Sequence, residues 1–139
     1  MKKIILNKCY GGFGVSSKGY KLYAEKLNLP IFRYDTYLDP NSKKITYKKV
    51  SLDSKESVFV DYVTKDLGDE VEYVKDKLDL DTHHREDPLL IEVVEELGKD
   101  ANTSYSDLVI VEVPDDVAED YMIDDYDGVE TLHKRVQVW

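Results

Sequence analysis

The chain has 139 residues and a mass of 16.1 kDa, which fits one domain and leaves little room for a second. Its 42% hydrophobic and 35% charged residues exclude a wholly disordered chain, no apolar run reaches the roughly 20 residues of a membrane span, and its single cysteine excludes an internal disulfide. A net charge of −10 argues against non-specific binding of nucleic acid, which needs a cationic surface.

The first 30 residues predict a strand, a glycine turn and a helix. The strand covers residues 3–10, and its apolar run Ile4-Ile5-Leu6 is short enough to be buried on both faces. Glycines at 11, 12 and 14 then break the strand. Ser16 or Ser17 can cap a helix over 17–28, in which Tyr20, Tyr23, Ala24 and Leu27 form one apolar stripe.

The middle of the chain predicts short strands and one ambiguous segment. Residues 31–34 and the group 58–63 are strand-like, and the lysine-rich stretch 45–52 is typical of an exposed or edge strand. The spacing of the apolar residues within 69–80 favours a helix over a strand.

The second half gives clearer signals. Asp87 is a good N-cap before a helix over 88–97, Pro88 suits the first helical position, and Gly98 is a good C-terminal stop. Residues 108–113 are almost continuously apolar, as expected of a central buried strand.

A last short helix is predicted through Val129, Leu132 and His133, before an apolar tail over 136–139 that would favour self-association. Together the elements predict a single domain, 1–139, of the α/β or α+β class. Its mixed sheet would have central strands 3–10 and 108–113 and helices 17–28 and 88–97.

The charge is unevenly distributed along the chain. Residues 1–50 carry 11 Lys or Arg against three Asp or Glu, a net of +8, whereas residues 51–139 carry 8 against 26, a net of −18. A basic patch from the first part could attract a small anion.

The glycine turn is the first candidate site. A glycine turn that opens onto a helix exposes backbone N–H groups where the helix dipole favours an anion, and Tyr10 and Phe13 flank it with rings that could stack on a base. Its spacing is neither that of the dinucleotide fingerprint nor that of a P-loop. The alternative is a tight turn without a ligand.

An acidic group near the C-terminus is the second candidate. Asp124, Asp125, Asp127 and Glu130 lack the spacing of a calcium loop, but their carboxylates could accept hydrogen bonds from ribose hydroxyls or a ligand amine. Simple N-capping by Asp127 is the alternative.

The histidines and the cysteine give weaker signals. On the predicted last helix, His133 lies three residues after Glu130 and could share a helix face with it. The two would then form either an acid–base pair or a surface pair. His83 and His84 lack metal-ligand spacing, and Cys9 has no histidine near it in sequence to activate it.

Several blocks of the sequence resemble a family of small proteins that bacteriophages and prophages encode. They are NKCYGGFG at 7–14 with Ser16 after it, TKDLGD at 64–69, REDPLLIEVVEELG at 85–98, LVIVEVPD at 108–115, and IDDYDGVE at 123–130 followed by His133, Arg135 and Trp139. The lysine-rich segment 31–57 matches little. Small acidic phage proteins often resemble inhibitors of bacterial immunity, and one class of these sequesters nucleotide messengers without cleaving them.

The family itself implies no function, but the glycine turn, its flanking rings and the analogy with such phage inhibitors predict a non-catalytic nucleotide-binding protein in the cytoplasm of an infected bacterium. It would bind a cyclic nucleotide or an ADP-ribose derivative, need no cofactor or metal, and form a homo-oligomer. The alternatives are an enzyme that cleaves such a nucleotide and an acidic inhibitor that binds a host protein. The candidate ligand-binding residues are Asn7, Tyr10, Gly11, Gly12, Phe13, Gly14, Ser16, Arg85, Asp124, Tyr126, Asp127, Glu130 and His133.

Overall fold

A computed structural model describes residues 1–57 and 59–135 and contains both helices and strands, which confirms the α+β class. The strands are β1 (Lys2–Asn7), β2 (Phe32–Leu38), β3 (Ile45–Val50), β4 (Val60–Val63), β5 (Glu70–Val71), β6 (Leu108–Val113), β7 (Tyr121–Tyr126) and β8 (Val129–Lys134). The α-helices are α1 (Ser17–Lys26), α2 (Pro88–Leu97) and α3 (Asp115–Glu119), and 3-10 turns cover Thr82–His84 and Gly98–Ala101.

The strands form antiparallel sheets instead of the predicted mixed sheet. Within the described ranges the strand orders are β1-β6, β4-β2-β3-β5 and β7-β8, and every paired strand runs antiparallel to its neighbour. The two strands predicted to be central, β1 and β6, pair with each other, with Ile5 opposite Ile110. Neither is central, because they form a two-stranded sheet, and residues 109–112 of β6 are not buried, contrary to the prediction. Strand β1 ends at Asn7, three residues earlier than predicted, because the chain turns before the glycines.

Contacts within the chain divide it into two compact units, residues 1–19 with 80–139 and residues 20–79. The prediction that both belong to one domain stays a prediction. The division redistributes the charge asymmetry of the sequence, because the basic residues 1–50 are shared between the two units. The first unit carries 8 Lys or Arg against 17 Asp or Glu, a net of −9, and the second carries 11 against 12, a net of −1.

In the first unit β1 is buried on both faces, as predicted. Ile4 and Leu6 pack with Val113 in a core that also includes partly buried residues of α3, β7 and β8. Ile5 is fully buried, and because side chains alternate along a strand it faces the opposite side. Helix α2 packs against β1 and β6 and buries Leu90, Ile91, Val93 and Val94.

Helix α2 begins and ends where the sequence predicts. The Asp87 carboxylate accepts a hydrogen bond from the Leu89 N–H at 2.9 Å, and Gly98 ends the helix with a φ of 55°. Helix α1 buries Tyr20, Tyr23 and Ala24 as predicted, but it ends at Lys26 and leaves Leu27 exposed. No helix in the described part of the chain is long and apolar enough to cross a membrane.

The second unit is built on the four-stranded sheet. Strands β2 and β3 form its long hairpin, which pairs Arg33 with Val50 and Leu38 with Ile45. Its core consists of Tyr34, Val63 and Val74, with Phe32, Tyr47, Leu67 and Val71 packed around them.

Two predicted helices are wrong. The segment 69–80 contains the short strand β5 and then irregular chain, because Val71 pairs with Tyr47 at the sheet edge and only Val74 and Leu80 of the segment are buried. The segment expected to form the last helix is strand β8, which returns along β7 from a turn at Asp127-Gly128. Val58 and the apolar tail 136–139 lie outside the described residues.

Candidate functional site

The two candidate segments, from opposite ends of the sequence, meet at the turn between β7 and β8. Asp127 and Gly128 have φ angles of 50° and 94°, as the tightest hairpins require. A Cβ atom on Gly128 would lie 2.6 Å from the Gly12 nitrogen and 2.8 Å from the carbonyl oxygens of Cys9 and Tyr10. The tip of this hairpin therefore contacts the glycine turn so closely that only glycine fits at position 128.

Asn7 connects the two segments from inside. Its side-chain nitrogen Nδ2 donates to the carbonyl oxygens of Gly128 at 2.6 Å and Cys9 at 2.8 Å, while its Oδ1 accepts from the Asp107 N–H at 2.8 Å. The side chain is fully buried, so its hydrogen bonds are all to protein. The buried Asn7 side chain therefore connects the glycine turn to the β7–β8 hairpin by hydrogen bonds.

Glu130 and Arg85 complete the edge of β1 that β6 leaves unpaired. The Ile5 N–H donates to the Arg85 carbonyl at 2.9 Å, and Arg85 Nη1 donates to the Ile5 carbonyl at 2.9 Å. Glu130 Oε1 accepts from the Asn7 N–H at 2.8 Å. Arg85 binds the Glu130 carboxylate at both oxygens, at 3.2 and 2.9 Å, with the two side chains only 11% and 5% exposed. This is a buried bidentate ion pair that joins three segments.

The glycine turn lies beside this ion pair. The Arg85 guanidinium sits 5.5 Å from the centre of the Phe13 ring, within range of a cation–π contact. The Lys8 ammonium donates a hydrogen bond to the Glu130 carbonyl oxygen. Lys18, beyond the turn, lies 3.9 Å from Asp100. Lys8 and Arg85 are thus already engaged by protein groups, whereas Lys18 is exposed.

The predicted cap at the start of α1 is confirmed. Ser16 Oγ accepts from the Gly19 N–H at 3.1 Å and donates to the Asp100 carbonyl at 2.5 Å, and the Ser16 N–H donates to the Ala101 carbonyl at 2.9 Å. The Gly12 N–H closes the turn onto Cys9 at 3.3 Å. Within residues 1–57 and 59–135, the N–H groups of Gly11, Phe13 and Gly14 have no protein acceptor, so these donors remain for solvent or a ligand.

The outer surface of the site is aromatic and acidic. Tyr10 and Tyr126 are 72% and 75% exposed, and Asp127 lies exposed between Tyr126 and Gly128. Asp124 pairs with His133 across the hairpin, with Oδ2 3.0 Å from Nε2.

The expected pairing of Glu130 with His133 on one helix face is wrong. In strand β8 these residues lie an odd number of positions apart, so their side chains point to opposite faces. Glu130 points inward to Arg85, whereas His133 is exposed and contacts Thr131 Oγ1 at 3.2 Å as well as Asp124.

The Cys9 thiol and the other two histidines take no part in the contacts described above, and both His83 and His84 lie beside Asp81. Cys9 is half-buried, and His83 Nδ1 lies 3.2 Å from Asp81. Across the described residues, no group of three or more His, Cys, Asp or Glu side chains could hold a metal ion.

A second polar cluster lies at the start of β1 and consists of Lys2, Glu86 and Tyr121. The Tyr121 hydroxyl donates to Glu86 Oε2 at 2.5 Å, and Lys2 forms an ion pair with the same carboxylate. Burial and then this hydrogen bond raise the pKa of Tyr121 from 10.0 to about 12. The Lys2 ammonium and the Tyr121 hydroxyl hold the pKa of Glu86 below its usual value.

In the second unit, the block at 64–69 has a structural explanation. The buried Tyr34 hydroxyl donates to the Gly68 carbonyl at 2.6 Å and accepts from the Leu67 N–H at 3.0 Å. Asp66 accepts from Lys49 Nζ at 2.9 Å and from the Gly68 N–H at 2.9 Å. These bonds hold a tight loop, and Lys49 lowers the pKa of Asp66.

Sequence reasoning missed two residues of the candidate site. Asp107 bonds to Asn7 through its N–H and to Lys8 through its carbonyl, and the Tyr105 backbone packs against Gly11. Both belong to a loop without a motif, and no local signal marks backbone contacts of this kind. Comparison of the chain with protein-family models, curated proteins and solved structures gives no match.

Proposed function

We propose that this chain is a non-catalytic nucleotide-binding protein of phage origin, which sequesters a nucleotide signal of host anti-phage defence. Sequestration would take place in the cytoplasm of the infected bacterium, with the chain as a homo-oligomer. The observation that carries the proposal is the contact between the β7–β8 hairpin and the glycine turn. It brings the glycine turn, in which the Gly11 and Gly14 N–H groups have no acceptor among the described residues, against the hairpin that carries the exposed Tyr126 and Asp127.

Each group has a role in this proposal. Tyr10 and Tyr126 would stack on bases, the N–H groups of Gly11 and Gly14 would bind a phosphate, and Asp127 would accept ribose hydroxyls. The buried residues Asn7, Arg85 and Glu130 would position these groups without touching the ligand.

Binding is favoured over cleavage by the state of Glu130. Its carboxylate is occupied by Arg85 and by the Asn7 N–H, so it is not placed to exchange protons with a ligand. His133, the other candidate acid–base residue, faces away from it.

Calorimetry with a panel of cyclic nucleotides and NAD-derived messengers tests the proposal. We expect one class to bind and to be recovered intact after denaturation. Tyr10→Ala and Tyr126→Ala should weaken binding about 5- to 100-fold, the range for loss of one stacked base. Tyr73→Ala, at an equally exposed tyrosine (72%) of the other unit, is the matched control and should not change it.

Absence of binding across the panel would overturn the proposal. Recovery of a cleaved product would overturn the non-catalytic part of it and favour the enzyme. Capture of a basic host protein by a chain that binds no nucleotide would favour the protein-binding inhibitor.

A further inference from the structure

Tyr105 lies against the glycine turn although it comes from a distant loop. A Cβ atom on Gly11 would overlap the Tyr105 backbone, at 2.2 Å from its carbonyl oxygen and 2.7 Å from its Cα. The two backbones approach each other so closely that position 11 accepts only glycine. The Tyr105 side chain itself is 56% exposed.

The loop that carries Tyr105 is fixed by hydrogen bonds. Ser106 Oγ donates to the Gly14 carbonyl at 2.8 Å and accepts from the Thr103 N–H at 2.9 Å, and Ser106 is only 6% exposed. The Tyr105 N–H donates to Thr103 Oγ1 at 3.1 Å. The backbone position of Tyr105 is therefore set before any ligand arrives, which lowers the backbone entropy lost on binding.

Three exposed tyrosines are thus anchored on one backbone cluster. Tyr10 precedes Gly11, Tyr105 packs on Gly11 through its backbone, and Tyr126 is two residues from Gly128, which contacts the Tyr10 carbonyl. We call Tyr10, Tyr105 and Tyr126 the tyrosine rim. Their side chains are 72%, 56% and 75% exposed, so each ring is open to a planar group from solvent.

We propose that the tyrosine rim selects a ligand with two planar ring systems, a dinucleotide such as a cyclic dinucleotide, and that Tyr105 is one of its stacking residues. This inference rests on the proposed function and specifies the ligand class of the same site.

The charge around the rim favours few phosphates in that ligand. The unit that carries it has a net charge of −9, and Asp107, Asp125 and Asp127 are exposed beside the rim residues in sequence. Lys8 and Arg85 already bind protein acceptors, and the exposed Lys18 lies 3.9 Å from Asp100. A nucleoside triphosphate would meet repulsion that these cations do not offset, whereas two stacked rings joined by phosphodiesters gain more contact for less charge.

The test compares ligands that differ in ring number and charge. Calorimetry is carried out with cyclic di-AMP, AMP and ATP and with the guanine counterparts, on the wild-type chain and on Tyr105→Ala, Tyr105→Phe and Tyr73→Ala. We expect the cyclic dinucleotide of one base to bind at least about 10-fold more tightly than its monophosphate, and the triphosphate to bind most weakly. Tyr105→Ala should weaken dinucleotide binding about 5- to 100-fold, whereas Tyr105→Phe, which keeps the ring, should retain most of it. Tyr73→Ala, in the other unit, should leave it unchanged.

The outcomes distinguish a failure of this inference from a failure of the proposed function. If no nucleotide in the wider panel binds, both fail. If nucleotides bind and Tyr10→Ala weakens their binding, but Tyr105→Ala behaves like Tyr73→Ala, the proposal that Tyr105 stacks on the ligand is overturned. The proposal of nucleotide binding then stands. If a monophosphate or triphosphate binds as tightly as the cyclic dinucleotide, the two-ring class is overturned.

Discussion

Each unit contains one largely buried arginine, and the two arginines have different kinds of partners. Arg33 in the second unit is 1% exposed and binds Asp35, two residues along its own strand, as well as the carbonyl oxygens of Ser54 and Lys55. Arg85 in the first unit binds Glu130, 45 residues away, and the backbone of β1. The first arrangement stabilises a loop locally, whereas the second joins the segments on which the candidate site is built.

The largest effect is expected from Glu130→Gln. The substitution keeps the size of the side chain but leaves the buried Arg85 without a countercharge, so we expect the free energy of unfolding to fall by about 3–5 kcal/mol. Urea unfolding measures it. Asp124→Asn removes an exposed carboxylate from the same hairpin and should cost no more than about 1 kcal/mol.

Asp35→Asn makes the same change in the other unit and sharpens the comparison. Arg33 keeps two carbonyl acceptors, and Asp35 is 22% exposed, so the expected loss is about 1–3 kcal/mol. A loss equal to that of Glu130→Gln would show that the long-range pair has no special role.

The next effect concerns two glycines with similar backbone angles. Gly128 and Gly68 have φ angles of 94° and 102°, but a Cβ atom would strike the glycine turn at 128 and meet nothing within 4 Å at 68. Gly68→Ala should cost about 1–3 kcal/mol from backbone strain alone. Gly128→Ala should cost more and also reduce ligand affinity, because it pushes the hairpin away from the turn. Equal costs in thermal unfolding would contradict this contact.

The smallest effect is expected at Tyr121 and depends on pH. Its pKa is raised to about 12 in the folded chain, so its hydroxyl contributes fully to stability below about pH 10, and the contribution disappears as the pH rises towards 12. Tyr121→Phe should lose about 1 kcal/mol at neutral pH. It should also show a smaller decrease in stability than the wild type between pH 10 and 12. Parallel pH profiles would exclude Tyr121 as the source.

The sequence predicted what depends on neighbours along the chain. Helix α2 was predicted to the residue, because its apolar stripe, its Asp87 cap and its Gly98 stop lie within a few residues of one another. The Arg33–Asp35 pair could also have been found, since residues two apart in a strand share a face.

Strand β8 shows why the remainder could not be predicted. Its inward positions include Glu130, so the alternation of apolar residues that marks a strand is broken where the buried ion pair lies. The Asp127-Gly128 pair was itself a hairpin signal, and the spacing of Val129, Leu132 and His133 outweighed it. Arg85, Asn7 and Tyr105 have their roles through partners 45 to 123 residues away, which no local pattern records.

The contact between Asn7 and Glu130 also has a consequence for folding during synthesis. Residues 20–79 are contiguous, so every contact within the second unit can form once Asp79 has left the ribosome. Strand β1 precedes the second unit in the chain, but the edge of it that Glu130 covers waits for β8, 123 residues later. Long loops of this kind close slowly, and until then β1 presents an open edge and the apolar run Ile4-Ile5-Leu6. The nascent chain is thus exposed to mispairing at β1 for longer than at the lysine-rich hairpin, whose strands β2 and β3 are neighbours in sequence.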